Sequence, residues 1–290
     1  MQAIAERLQL IRQSLGRRTL VMGVLNTTPD SFFDGGRYAV LDAALARAEQ
    51  MLAEGADVLD IGGESTRPGA EPVSEAEELQ RTLPVIEAIL ARFPQTVISI
   101  DTTKSGVAAR ALQVGACIVN DISGMTFDPR MREVAAQAGA LVVLMHIQGT
   151  PRTMQQNPHY TDVVAEVRDT LHAHVQRAQQ AGIPRENIWL DPGIGFGKTL
   201  KHNLQLLRHL PTLKSLGYPV LIGTSRKSFI GHLLGGLPPE ERLEGTLATL
   251  ALSVAWGADI VRVHDVQAAV RAVRVADALV RAGGRPHEHM

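Results

Sequence analysis

The sequence predicts a single-domain α/β protein, a TIM-type (β/α)8 barrel, and three observations lead there. Eight short apolar runs are continuous in Val, Ile and Leu rather than alternating, as strands buried on both faces of a parallel sheet are. Alanine-rich amphipathic stretches of helix length lie between them. Gly55, Gly115, Gly139, Gly182 and Gly257 each follow such a stretch just before the next strand, where a helix C-terminal cap belongs. Eight β-α units in about 250 residues is the repeat of the barrel. The competing doubly wound sheet would carry a glycine fingerprint in its first β-α turn. Here the first strand runs into NTTPDSFFDGG instead.

Residues 1–18, MQAIAERLQLIRQSLGRR, carry scattered charges and no long apolar run, so they read as a helical extension and neither a signal peptide nor a membrane span. The barrel takes 19–282. Its strands are TLVMGVLN (19–26), DVLDIGG (57–63), VISIDTT (97–103), CIVNDIS (117–123), LVVLMHI (141–147), IWLDPG (188–193), PVLIGTS (219–225) and IVRVHD (260–265). LDAALARAEQMLAEG (41–55) and YTDVVAEVRDTLHAHVQRAQQAG (160–182) show the helical pattern between strands most clearly. Residues 283–290 are expected to form a flexible tail, where His287 and His289 could hold a metal loosely but read first as part of a frayed terminus.

The chain has 290 residues, with 29 basic against 30 acidic side chains, a net charge of −1. A general nucleic-acid binder would show a basic excess. The single cysteine, Cys117, excludes an internal disulfide framework and fits a reducing compartment. The expectation is a cytoplasmic protein with no membrane segment and no nucleic-acid partner. Cys117 begins a strand and reads as an inert core residue. His172 and His174, two apart on a helix, face different sides and do not make a metal pair.

A barrel places function at the C-terminal ends of its strands. Read in order, those ends are Asn26, Glu64-Ser65-Thr66-Arg67, Asp101, Asn120-Asp121, His146, Asp191, Ser225-Arg226-Lys227, Arg262 and His264. A polar residue that merely begins a loop explains any one of them but not the set. Asp101, Asn120 and Asp191 offer acceptors for a flat ligand edge with adjacent N–H donors, such as a pterin or guanine pyrimidinone edge. Lys227, Arg262 and His264 form a positive group on the last two strands, where barrels often hold phosphate. Arg262 and His264 are two apart on one strand and share a face. A salt bridge to an acidic neighbour for Arg262, and a hydrogen-bonded core position for His264, stay open.

The stretch DPGIGFGKT (191–199) looks like a phosphate loop, but counting back from Gly197-Lys198-Thr199 puts Pro192 where a Walker A glycine is needed. The dinucleotide pattern fails as well, because its third glycine falls on Lys198. Its working atom is expected to be the Asp191 carboxylate. Its glycines would let the backbone pass close to a flat ligand, Phe196 would supply an aromatic wall, and Lys198 is expected to point to solvent.

These blocks together resemble the dihydropteroate synthase family of the folate pathway, the target of sulfonamides. The matching stretches are GVLNTTPDSFFDGG (23–36), DIGGESTRPGA (60–70), SIDTTK (99–104), VNDISG (119–124), MHIQGTPRTMQ (145–155), DPGIGFGKT (191–199), GTSRKSFIG (223–231) and RVHDV (262–266), and they run from the first strand to the last. The resemblance implies condensation of 6-hydroxymethyl-7,8-dihydropterin diphosphate with p-aminobenzoate, giving 7,8-dihydropteroate and pyrophosphate. It implies a pterin site of Asp101, Asn120, Met145, Asp191, Phe196, Gly223 and Lys227. Asn26, Arg67, Arg262 and His264 would hold the diphosphate, with Mg2+ near Asn26. Phe32, Thr66, Arg67, Pro68, Phe196 and Ser228 would line the p-aminobenzoate site, and Asp34 would reach the reacting centre. A homodimer through helices near the C-terminal end is implied too, and the apolar faces of 242–256 and 266–280 permit it.

The implied chemistry is substitution at the exocyclic CH2 of the pterin, with a pterin cation formed before the amine attacks and acidic groups around Asp101 stabilising it. The loops 26–36 and 64–70 are long, polar and glycine-bearing, and are expected to be mobile and to close over the second substrate. Phe33 stands where many relatives carry a small polar residue. His146 reads as a structural hydrogen-bonder. Three other functions compete: the pterin-binding domain of a methyltransferase, which has no diphosphate to hold; a catalytically silent pterin-binding paralogue; and a Schiff-base aldolase using Lys227, which leaves Asp191 and Asn120 unexplained.

Overall fold

The computed structural model describes residues 2–28 and 37–281. Its eight strands are β1 (Leu20–Asn26), β2 (Val58–Gly62), β3 (Ile98–Asp101), β4 (Ile118–Asp121), β5 (Leu141–Met145), β6 (Ile188–Asp191), β7 (Leu221–Ile222) and β8 (Ile260–Val263). All pair in parallel, in the order β6-β5-β4-β3-β2-β1-β8-β7. A parallel bridge between Leu190 and Val220 joins the two ends, so the sheet closes into the expected barrel. The strand predicted over 219–225 shortens to Leu221–Ile222 because the Val220 amide donates to the Asp259 carboxylate, at 2.8 Å, as well as lying at the closing bridge.

The helices are α1 (Gln2–Ser14), α2 (Arg37–Ala53), α3 (Glu75–Arg92), α4 (Ser105–Val114), α5 (Met131–Ala138), α6 (Val163–Gln180), α7 (Leu200–Arg208), α8 (Leu210–Lys214), α9 (Ser228–Leu233), α10 (Leu243–Ala255) and α11 (Val266–Val280). All five glycines read as caps sit in the left-handed region, from φ +66° at Gly139 to +119° at Gly115. A side chain there would force the backbone into a conformation L-residues avoid, and the helix could not turn so sharply into the next strand. Among the described residues no helix is long and apolar enough to cross a membrane.

Two apolar layers follow from strand alternation. One face of each strand packs against the outer helices in the large cluster that includes Val21, Leu59, Ile100, Val142, Leu190 and Val261. The opposite face fills the barrel with Leu20, Met22, Val58, Ile118, Val143, Trp189, Leu221 and Ile260. Ile4, Leu8 and Ile11 of α1 join this interior cluster, so the extension seals the barrel at the end where the strands begin. Arg12 of α1 donates to Asn187, whose amide in turn donates to the carbonyls of Gly139 and Ala140. Cys117 is buried in this interior, and burial raises its thiol pKa, as expected for an inert position.

Candidate active site

Strand parity builds the site. Two residues beyond Val58, Ile118, Val143, Trp189, Leu221 and Ile260 lie Asp60, Asn120, Met145, Asp191, Gly223 and Arg262, on the same interior face and one layer nearer the C-terminal mouth. Asn26, Gly62, Asp101 and Asn120 are in register across β1 to β4. The predicted inner residues therefore converge from six strands.

A guanidinium organises them. Arg262 donates from Nε to Asp60 Oδ2 and from Nη2 to Asp101 Oδ2, each at 2.6 Å. Asn120 Nδ2 donates to the same Asp60 oxygen at 3.0 Å. The acidic-neighbour alternative for Arg262 is thus realised, with two carboxylates at once. Asp60 was not foreseen as a site residue, although the parity of β2 pointed to it. Asp101 feels opposing influences: burial pushes its carboxyl up to about 7, Arg262 pulls it down, and Asp60 pushes it up again. Burial also raises Asp191, against the pull of the Gly193 amide, which donates to its Oδ1 at 2.7 Å, and of Lys227.

Lys227, the half-buried residue just before α9, places Nζ 4.0 Å from the centroid of the Phe196 ring, within cation–π range. Burial, with Arg262 nearby, lowers it to about 8, and Asp191 and Asp101 resist that fall. Phe196, Met145, Ile122 and Met154 form a separate small apolar cluster. Ile122 and Met154 join the expected wall of Met145 and Phe196; the parity of Ile118 and Asn120 pointed to Ile122, whereas Met154 is a lone apolar residue in a loop and carries no periodic signal.

Two expectations are corrected. His264 does not add to the positive group: burial, then Arg262, lower it to about 3, so it is neutral near pH 7. Ser225 Oγ lies 2.9 Å from His264 Nδ1 and accepts from the His264 amide at 3.1 Å. When the Ser225 hydroxyl donates to Nδ1, Nε2 carries the ring hydrogen and the neutral ring can donate from that side. Lys198 does not point to solvent. It is 3% exposed, with Nζ 2.9 Å from His146 Nδ1 and donating to the carbonyls of Phe196 (2.8 Å) and His146 (3.3 Å). Burial lowers it to about 7 and Asp191 opposes the drop.

Two glycines of 191–199 also serve the packing of the chain on itself. Gly193, Gly195 and Gly197 have φ of +67°, +84° and +63°. A Cβ on Gly193 would fall 2.0 Å from the His146 carbonyl oxygen, and one on Gly197 2.6 Å from that of Gln148. Gly193 and Gly197 thus permit close approach to the chain's own loop after β5, a folding over that covers Lys198, while Gly195 faces the Lys227 side chain.

The remaining rim residues divide. Asp121 faces away from the barrel interior and accepts from the Ser123 amide (2.7 Å) and hydroxyl (2.6 Å). Arg226 forks onto Asp265 at 3.0 and 2.6 Å. His146 is buried and neutral, a structural hydrogen-bonder as expected. Gly223 leaves space beside Arg262. Thr66 is half-buried, and Arg67, Pro68 and Ser228 are exposed on the rim. Phe32, Phe33 and Asp34, and the tail histidines His287 and His289, lie outside the described residues. Asn26 ends β1 with its Oδ1 near Gly62, a single neutral oxygen. Among the described residues no three His, Cys, Asp or Glu side chains gather to hold a metal ion. Among the described residues the donor set fits magnesium as an ion held by the Asn26 oxygen together with substrate oxygens.

Comparison with known proteins agrees with this geometry. Residues 22–264 match a family model described as pterin binding enzyme. A dihydropteroate synthase of Synechocystis is 54% identical over 266 residues, 92% of each chain. The crystal structure of a Clostridium difficile dihydropteroate synthase obtained in the presence of pteroic acid superposes with a TM-score of 0.87 at 46% identity, covering 92% of this chain and 98% of that one. The Xanthomonas albilineans enzyme with 4-aminobenzoic acid gives 0.85 at 46% identity, covering 90% and 93%.

Proposed function

The chain belongs to the pterin-binding enzyme family, and from that premise we propose that it condenses 6-hydroxymethyl-7,8-dihydropterin diphosphate with p-aminobenzoate to 7,8-dihydropteroate and pyrophosphate. The observation that carries the reading is the inward row of Asp101, Asn120 and Asp191 facing Lys227 beside the Met145–Phe196 wall. A flat heterocycle with paired N–H donors on one edge and an acceptor on the other fits between them. Asp191 takes the paired donors, and Lys227 donates to the acceptor edge.

The reaction breaks the C–O bond between the exocyclic CH2 and the diphosphate and forms a C–N bond from the arylamine to that CH2; the amine gives up one proton. Neutral His264, through Nε2–H, and Arg262 donate to the departing diphosphate. Arg262 is already shared between Asp60 and Asp101, so drawing it toward the diphosphate frees the Asp101 carboxylate toward the ring, where positive charge develops. Asn26 would hold magnesium together with oxygens of the diphosphate, and the ion when bound would supply further neutralisation of the leaving group. Arg67 adds charge at the rim, and Thr66, Pro68 and Ser228 receive p-aminobenzoate. Phe32 would complete the outer site, and Asp34 would reach the reacting centre.

We further infer a homodimer in the cytoplasm. The support is a run of exposed apolar side chains, Leu252 on α10 and Val275, Leu279 and Val280 on α11, with Leu279 78% exposed, together with a lone buried cysteine.

The test is direct. The purified protein with dihydropterin diphosphate, magnesium and p-aminobenzoate is expected to form dihydropteroate by chromatography, and Lys227→Ala and Asp101→Asn to abolish it. Pterin binding without product in the unaltered protein would favour the silent paralogue. Pyrophosphate release or pterin hydrolysis without p-aminobenzoate tests ionisation before attack; if neither occurs under any condition, that order of steps loses its support.

A further inference from the structure

Glu64, Lys104 and Glu78 take no part in the reaction above, yet they form a compact ion cluster behind the mouth. Lys104 Nζ donates to Glu64 Oε2 at 2.5 Å and to Glu78 Oε2 at 2.6 Å. Glu78 is fully buried on α3, while Lys104 and Glu64 are 23% and 20% exposed in their side chains. The Glu64 oxygen held by Lys104 also accepts the Val73 amide, at 2.9 Å. Glu64 opens the segment that carries Thr66, Arg67 and Pro68, and Val73 closes it. One carboxylate oxygen therefore gathers both ends of this loop onto a single ammonium.

The base is fixed further. Arg81 of α3 donates to the Gly63 carbonyl at 2.8 Å, and a Cβ on Gly63 would meet Thr82 at 2.9 Å. The crest is held more lightly. The Gly69 amide donates to the Pro151 carbonyl at 3.1 Å, and Glu71 lies 3.6 Å from Arg152 with both side chains largely exposed. Pinning the base removes part of the loop's conformational freedom before a ligand arrives, and so part of the ordering cost of binding at the crest. An exposed pair would contribute little, but here the acceptor Glu78 is buried and the hydrogen bonds are charge-assisted.

We propose that Lys104, acting through Glu64, is a positioning residue for p-aminobenzoate: the clamp sets the height and register of loop 64–73 so that Thr66, Arg67 and Pro68 meet the second substrate. The proposal rests on the synthase reading for the identity of that substrate. It separates second-substrate binding from pterin binding, because Glu64 and Lys104 make no hydrogen bond to the inner residues Asp101, Asn120, Asp191 and Lys227, and Glu78, whose charge acts on Asp101, is left in place when Glu64 is changed.

Glu64→Ala is the variant to measure, since it leaves the Lys104–Glu78 pair in place and strands no buried charge. The expected result is a KM for p-aminobenzoate raised about tenfold, with KM for dihydropterin diphosphate within about twofold and kcat at saturation largely retained. Lys104→Arg, which keeps a cation within reach of both carboxylates, is expected to stay near the unaltered KM. Amide exchange followed by mass spectrometry is expected to quicken over 64–73 in Glu64→Ala while the barrel strands keep their protection. An unchanged KM for p-aminobenzoate, an equal rise in both KM values, or unaltered exchange over 64–73 overturns the clamp. Absence of dihydropteroate with the unaltered protein would sink the synthase reading instead, and the exchange measurement then decides the clamp by itself.

Discussion

Lys198→Met tests the most unexpected feature of the site, a lysine enclosed by the loop that the sequence suggested would expose it. Its pKa in the folded protein is about 7, against 10.5 for a free side chain. Between these values the unfolded chain binds one proton more than the folded one, so stability rises with pH across this window and falls as pH drops toward 7. The slope approaches about 1.4 kcal/mol per pH unit, and allowing for partial protonation at pH 7 the gain from pH 7 to pH 9 is about 2 kcal/mol. Methionine fills similar space without a titrating group. It leaves His146 Nδ1 and the Phe196 carbonyl without their partner, but that cost does not change with pH. Equilibrium urea unfolding of both proteins at pH 7, 8 and 9 isolates the titration as a difference of differences. The stability of the unaltered protein relative to Lys198→Met should climb by about 2 kcal/mol over that range. A flat difference would mean that Lys198 stays ammonium in the fold, and the argument from its burial would be wrong.

Other outcomes follow from the same geometry. The rate at limiting substrate should be bell-shaped, rising as Asp101 ionises through about 7 and falling as Lys227 loses its proton through about 8; a pH-independent rate from 6 to 9 would remove both groups from the chemistry. Asp60→Asn takes away a charge that raises Asp101, so the acid limb should move to lower pH; a limb that stays in place would show that Asp60 does not act on Asp101. Gly193→Ala puts a Cβ 2.0 Å from the His146 carbonyl at φ +67°, and should cost about 3 kcal/mol or more in urea unfolding. Leu279→Asp, at the most exposed apolar side chain of α11, should shift the protein from dimer to monomer in sedimentation equilibrium while leaving its fold intact.

The barrel and most of the inner site were legible in one dimension because both depend on local periods. Continuous apolar runs marked the strands, and all five glycines read as caps hold left-handed conformations. Alternation along a strand is a period of two, so Asn120, Asp191 and Arg262 fall at the mouth by strand parity alone. What the sequence left undecided were partners and desolvation. Arg262 meets Asp60 across a separation of 202 residues, and no local pattern encodes that distance. His264 reads as a possible cation on its strand, and only burial beside Arg262 makes it neutral. Lys198 stands between a glycine and a threonine, as a solvent-facing loop lysine would. The three left-handed glycines curl that loop onto the segment after β5, and the enclosure that results determines its charge. Secondary structure and facing follow from neighbours in the chain; ion pairing and protonation follow from neighbours in space, which only the closed barrel supplies.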